Sequence, residues 1–255
     1  MQNKYVGDVG DFGKYGLLRH LAAGLRLGVV WYLVPDEQDN NDGRHLRYLN
    51  LARAACALYA LAPCAPVAEN RNLRRFRSCD PVLYDCLRDL VTRGRRAVDE
   101  IAAAGILPAG TVFVDEHVAE PAGRERWLAR ALHATSACNL VFIDPDNGLA
   151  TPGRGQGSPR AMKYAFAEEV QSFARRGQSV VVYQHFDHRP DTVGRYRQAL
   201  AQALRLEPVE VQALHYRRGT ARAFFVIAAA QHRDALRTRV GGFLRGPWHA
   251  HFRQA

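Results

Sequence analysis

Three unbroken apolar runs constrain this chain more than any other feature: "GVVWYLVP" at 28–35, "NLVFID" at 139–144 and "QSVVVYQH" at 178–185. None alternates polar with apolar residues, so each reads as a strand covered on both faces. A shorter run, "TVFVDEHV" at 111–118, reads as a fourth strand ending at Asp115. Helix-patterned segments separate them: "GRERWLARALHAT", "RAMKYAFAEEVQSFARRG" closed by Gly177 as a C-cap, and "DTVGRYRQALAQAL". Two further strands, "VEVQALHY" and "ARAFFVIAAA", are joined by "RRGT" as a hairpin. The order predicts an α/β fold, a doubly wound and mostly parallel sheet with helices on both faces. The closing hairpin adds an antiparallel strand at one edge. Residues 1–255 form one domain, with a helical insertion at 49–110 after the first strand.

In an open α/β sheet, ligands bind outside the carboxyl ends of the strands. Four such ends carry polar clusters here. The first is "PDEQDNNDG", with Asp36, Asp39, Asp42 and Gly43. Its acids suit an amino group, ribose hydroxyls or a metal ion. The second is Asp115-Glu116-His117. The third is Asp144-Pro145-Asp146-Asn147-Gly148, where proline stops backbone pairing and turns the Asp144 carboxylate into the cleft. The fourth is Tyr183-Gln184-His185, followed by Asp187 and His188. Tyr183 and Gln184 are candidates for a wall against a base, and His185 for direct chemistry.

The start of the chain is unusual. "YVGDVGDFGKYGLLRHL", residues 5–21, places four glycines, Asp8, Asp11 and Lys14 ahead of the first strand. Leu17, Leu18, Leu21 and Leu25 lie at helical spacing, which predicts a short amphipathic helix. Residues 1–20 read as a lid over the cleft, with glycines that let the backbone approach a ligand.

A net charge of +10 favours a polyanionic partner such as a nucleic acid or a nucleotide. Lysine occurs only at Lys4, Lys14 and Lys163 among 35 basic residues. Where charge alone is needed the chain uses arginine, so a lysine marks a place for a compact ammonium. Five scattered cysteines without C-x-x-C spacing predict neither a disulfide framework nor a zinc site. The absence of a signal pattern in "MQNKYVGD", and of any apolar run near the roughly 18 residues of a membrane span, points to the cytoplasm.

The opening Tyr-x-Gly-Asp-x-x-Asp-x-x-Lys, the insertion after the first strand and the Asp-Pro turn together resemble the bacterial 23S rRNA adenine-N6 methyltransferases. That resemblance implies a class I methyltransferase fold and S-adenosylmethionine as cofactor. It places Tyr5, Gly7, Asp11 and Lys14 in a segment covering the cofactor, and gives Asp144 the target amine. Asp146 and Asn147 stand where that family has proline and an aromatic residue, and the usual glycine-rich loop is missing. Three functions remain open. The first is a methyltransferase acting on a nucleic acid or nucleotide amine. It would use Asp144, Pro145, Asp146, Asn147 and His185 for chemistry, and Tyr5, Gly7, Asp8, Asp11, Lys14, Asp36, Asp42, Gly43 and Asp115 for the cofactor. Lys163, Tyr183 and Gln184 would contact substrate, with Arg71, Arg74, Arg75 and Arg77 on phosphates. The second is a nuclease or phosphohydrolase with magnesium or manganese on Asp8, Asp11, Asp144 and Asp146. The third is a non-catalytic nucleic-acid-binding module.

Overall fold

The structure, a computed structural model, describes residues 1–37, 43–49, 71–151, 157–158, 160–187 and 189–255, with the backbone alone at 71 and 72. Asp39, Asp42 and His188, the side chain of Arg71 and the expected helix from residue 49 therefore lie outside the described residues.

Nine strands are present among the described residues: β1 Leu27–Trp31, β2 Val112–Val114, β3 Leu140–Asp144, β4 Gly148–Leu149, β5 Tyr164–Ala165, β6 Ser179–His185, β7 Val211–Tyr216, β8 Arg222–Ile227 and β9 Phe252–Gln254. Seven form one sheet in the order β2-β1-β3-β6-β8-β7-β9, and β4 pairs with β5 apart from it. Strands β2, β1, β3 and β6 are parallel. Strand β8 runs against both β6 and β7, and β9 runs against β7.

The helices are α1 Val9–Leu21, α2 Arg71–Arg77, α3 Pro81–Thr92, α4 Val98–Ala103, α5 Arg124–Ala134, α6 Ala167–Ala174, α7 Thr192–Leu204 and α8 Arg233–Arg245. Of the insertion, α2, α3 and α4 are described, between β1 and β2. Alternate strand residues face opposite cores. Val29, Trp31, Phe142, Val181 and Phe224 pack with α1, α3, α4 and α8. Val30, Tyr32, Ile143, Val182 and Phe225 pack with α5, α6 and α7. No helix among the described residues is long and apolar enough to cross a membrane.

Three expectations change. The hairpin does not add its second strand at an edge: β8 is inserted between β6 and β7, and the edge strand is β9. Helix α1 begins at Val9, capped by the Asp8 side chain accepting from Gly10 N, and nearly all of it is buried. It is a core helix, not an amphipathic one laid over the surface. Its glycines serve packing. A Cβ would lie 2.6 Å from Arg222 at Gly10, 2.6 Å from the Tyr216 ring at Gly13 and 2.2 Å from the Trp248 ring at Gly16. Spaced three apart, these glycines form a groove along one helix face, into which β7, β8 and the C-terminal segment press large side chains.

Candidate functional site

The parallel strands place their carboxyl ends on one edge, and α1 crosses that edge. A cavity of about 150 Å³ lies between them. Its lining joins Tyr5, Asp8, Asp11, Lys14 and Gly43 to Asp144, Pro145, Asp146, Asn147, Tyr183 and His185. Eleven residues singled out from separate parts of the sequence thus meet in one place. Gly10, from the glycine-rich opening stretch, also lines it, and Met1, His45, Thr220 and Arg222, which no motif in the sequence marks, complete the lining.

Lys14 is the hub. Its ammonium donates to Asp11 Oδ1 at 2.8 Å and to Asp144 Oδ2 at 2.7 Å, with all three residues buried. Asp11 and Lys14 are three apart on α1 and share a face, while Asp144 ends β3. Burial opposes the charge on Lys14, but the two carboxylates outweigh it and hold its pKa well above the usual lysine value. Burial pushes Asp11 up to about 6, against the pull of Lys14. Asp11 Oδ2 is buried and has no hydrogen-bond partner among the described residues.

A second group of charges adjoins the first. Gln2 donates to Asp146 Oδ2 at 2.9 Å and accepts from Glu37 N at 2.9 Å. Lys163 bonds Glu37 and stands 3.7 Å from Asp146 Oδ2. Lys4 donates to the Glu37 carbonyl at 2.9 Å. Met1 N donates to Tyr32 O at 2.6 Å, over the end of β1. The three lysines of the chain therefore gather along one strand-end edge.

Behind the edge, Arg124 holds Glu169 at 2.6 and 3.0 Å and donates to the Ala161 and Tyr164 carbonyls on either side of Lys163. Asn147 N donates to Lys163 O at 2.8 Å, tying the acidic turn to the same segment. On the far wall, Arg222 reaches Asp8 at 3.3 Å and the Tyr183 hydroxyl at 3.2 Å. Burial, opposed by Arg222, raises the Tyr183 phenol above its usual value.

Other predicted residues lie elsewhere. Gln184 is buried, accepting from Leu149 N and donating to His185 O, so it braces the turn instead of facing a ligand. Gly7 takes φ +81°, and its carbonyl accepts from Tyr48. Asp36 and Asp115 are exposed at the ends of β1 and β2, outside the cavity. Arg74 and Arg75 are exposed on α2. Nothing local in the sequence marks Arg222 or Thr220, because their place depends on where β8 enters the sheet.

Magnesium does not fit this arrangement. The cation between Asp11 and Asp144 is the Lys14 ammonium, and no three His, Cys, Asp or Glu side chains among the described residues converge as ligands. S-adenosylmethionine meets a donor set that suits it, because the orphaned Asp11 Oδ2 and the acids beside it match a sulfonium and an amine. The cavity is below the ~300–1,000 Å³ that encloses a whole drug-sized ligand. It admits a group the size of one ring. Compared with known proteins, the chain matches no family description and no curated sequence.

Proposed function

We propose that this chain is a methyltransferase-like enzyme acting on an amino group of a nucleotide or nucleic acid at the Asp144 cavity. One observation carries the reading. The two motifs of the resemblance, distant in sequence, meet through the buried Asp11–Lys14–Asp144 ion pairs. The order of elements, α/β units closed by the antiparallel β7–β8 hairpin, supports it, as that order is the one expected of a class I methyltransferase domain.

Lys14 fixes the Asp144 carboxylate, which accepts a hydrogen bond from the target amine and orients its lone pair. Pro145 keeps the turn out of the sheet ladder, so its backbone faces the cavity. Tyr183 and His185 close the wall opposite. Asp11 Oδ2, ionised above about pH 6, is the atom placed to take the proton that the amine gives up. Orientation and charge placement supply the catalysis. S-adenosylmethionine, when bound, would supply an electrophilic methyl group, and Asp8, Asp11 and Asp146 are the lining acids that would face its cationic end. Titration calorimetry with S-adenosylmethionine tests the reading. Binding that weakens in Asp146→Asn supports it; no heat at millimolar cofactor overturns it.

A further inference from the structure

The edge of the sheet beside the cavity mouth carries arginines whose charge is left uncancelled. Strand β7 runs into the turn Arg217-Arg218-Gly219-Thr220, and Thr220 and Arg222 line the cavity. Strand β9 contributes Arg253, and α2 contributes Arg75, whose carbonyl accepts from His251. Some exposed arginines elsewhere pair with acids, such as Arg77 with Asp85, Arg93 with Asp89 and Arg130 with Glu116. Others, such as Arg126 and Arg205, form no such pair among the described residues, and neither do Arg75, Arg217, Arg218 and Arg253. What sets this edge apart is that its arginines cluster and two of them are held by histidines.

Two of them are held by histidines instead. Arg218 Nε donates to His251 Nδ1 at 2.8 Å, and Arg253 Nε donates to His215 Nδ1 at 3.1 Å. A ring nitrogen that accepts carries no proton, so both imidazoles are neutral with hydrogen on Nε2. Burial and the surrounding guanidiniums keep them so, with His251 pushed down to about 4 and His215 also lowered. A carboxylate would orient a guanidinium equally well but would cancel its charge. A neutral imidazole orients it and leaves the charge standing.

We propose that Arg75, Arg217, Arg218 and Arg253 form a phosphate track that carries the backbone of a single-stranded nucleic acid past the cavity mouth. The four acids of the cavity, Asp8, Asp11, Asp144 and Asp146, are met by Lys14, Arg222 and the Met1 amino group. The oxygen left over, the buried Asp11 Oδ2, accepts an N–H donor and offers nothing to phosphate. A ligand that satisfies both surfaces must be anionic outside and offer N–H donors inside. A polynucleotide with one base turned into the cavity does both. The strand is single because a base must leave its stack to enter a ring-sized cavity. The proposal rests on the reading of the cavity as an amine site.

Fluorescence anisotropy with a labelled single-stranded oligonucleotide of mixed sequence, titrated across salt concentrations, tests it. Four phosphate contacts give a log–log salt slope of about −3, at about 0.7 per contact. Arg217 and Arg253 are exposed, so the double variant R217A/R253A should fold. It should reduce the slope by about 1.4 and weaken binding about 25-fold near 0.1 M salt. D144N should leave the slope unchanged. An unaltered slope in R217A/R253A overturns the track while leaving the cavity reading, which stands on the calorimetry. Binding to phosphatidylserine vesicles without binding to the oligonucleotide also overturns it.

Discussion

Lys14→Met removes the single cation shared by Asp11 and Asp144 and keeps a side chain of similar length. Losing one partner of a buried ion pair costs about 3–5 kcal/mol, because a buried charge is left uncompensated. Here two carboxylates lose their cation, so the upper end of that range applies when both are ionised. Domains of this kind are stable by about 5–15 kcal/mol, and 1 kcal/mol shifts Tm by about 2–4 °C at 150–250 residues. The expected loss at pH 8 is therefore about 10–20 °C. The sign with pH follows from Asp11. Its folded pKa of about 6 exceeds the ordinary 3.8, and removing Lys14 raises it further. A folded state that binds more protons than the unfolded one loses stability as pH rises through that window. Lys14 in the wild type is raised above its ordinary value, so its contribution is complete below about pH 10 and constant across the window. The gap between wild type and K14M should thus widen from pH 5 to pH 8. Thermal melts of both proteins at the two pH values provide the test. A Tm at pH 8 within 2 °C of wild type refutes the reasoning, as does a gap that narrows with pH.

Gly16→Ala should cost about 1–3 kcal/mol by overpacking, since its Cβ would meet the Trp248 ring; a chemical-denaturation midpoint equal to wild type would show that the groove tolerates the methyl. Arg124→Met should cost about 3–5 kcal/mol by stranding Glu169, and it should weaken cofactor binding by releasing the 161–164 segment to which the Asp146–Asn147 turn is tied; calorimetry on the folded variant checks the second effect. Asp144→Asn should keep the fold but lower turnover of a nucleotide amine by at least about tenfold, as loss of an oriented acceptor does; full activity would favour a module that only binds. Tyr216→Phe removes the hydroxyl that donates to Val9 O at 2.7 Å and should cost about 1 kcal/mol, read from a denaturation midpoint.

The parallel half of the sheet is legible in the sequence because β1, β3 and β6 are continuous apolar runs, a pattern that burial on both faces requires. The place of β8 is not, since strand order depends on long-range packing and leaves no local trace. The start of helix α1 is hidden for a physical reason. Glycine and aspartate are poor helix formers, and their density at 7–13 resembles a loop. The helix forms because tertiary packing overrides propensity: three glycines admit Arg222, Tyr216 and Trp248, and Asp8 caps the first turn. The acidic turn at 144–148 is visible because proline directly after a strand-end aspartate ends the ladder there and leaves the carboxylate at the sheet edge. Arg222 opens an internal strand, and its sequence context carries no sign that it reaches Asp8 across the molecule.

The division between lysine and arginine joins these observations. An ammonium is a compact point charge with three donors, and it can sit between two carboxylates in a sealed site. A guanidinium is planar and wider, suited to phosphate at an open surface. Lys14 occupies the sealed position between Asp11 and Asp144, while Lys4 and Lys163 hold Glu37 beside it. Arginine supplies the open edge at 217, 218 and 253. Arginine also reaches buried carboxylates, Arg124 to Glu169 and Arg222 to Asp8, but each of these guanidiniums meets one acid. Among the described ion pairs Lys14 alone bridges two buried carboxylates, which its compact ammonium allows. Lys14→Arg should therefore fail to restore what K14M loses, although charge is conserved. A melting temperature for K14R equal to wild type would mean that Lys14 acts through charge alone, and that lysine in this sequence marks nothing.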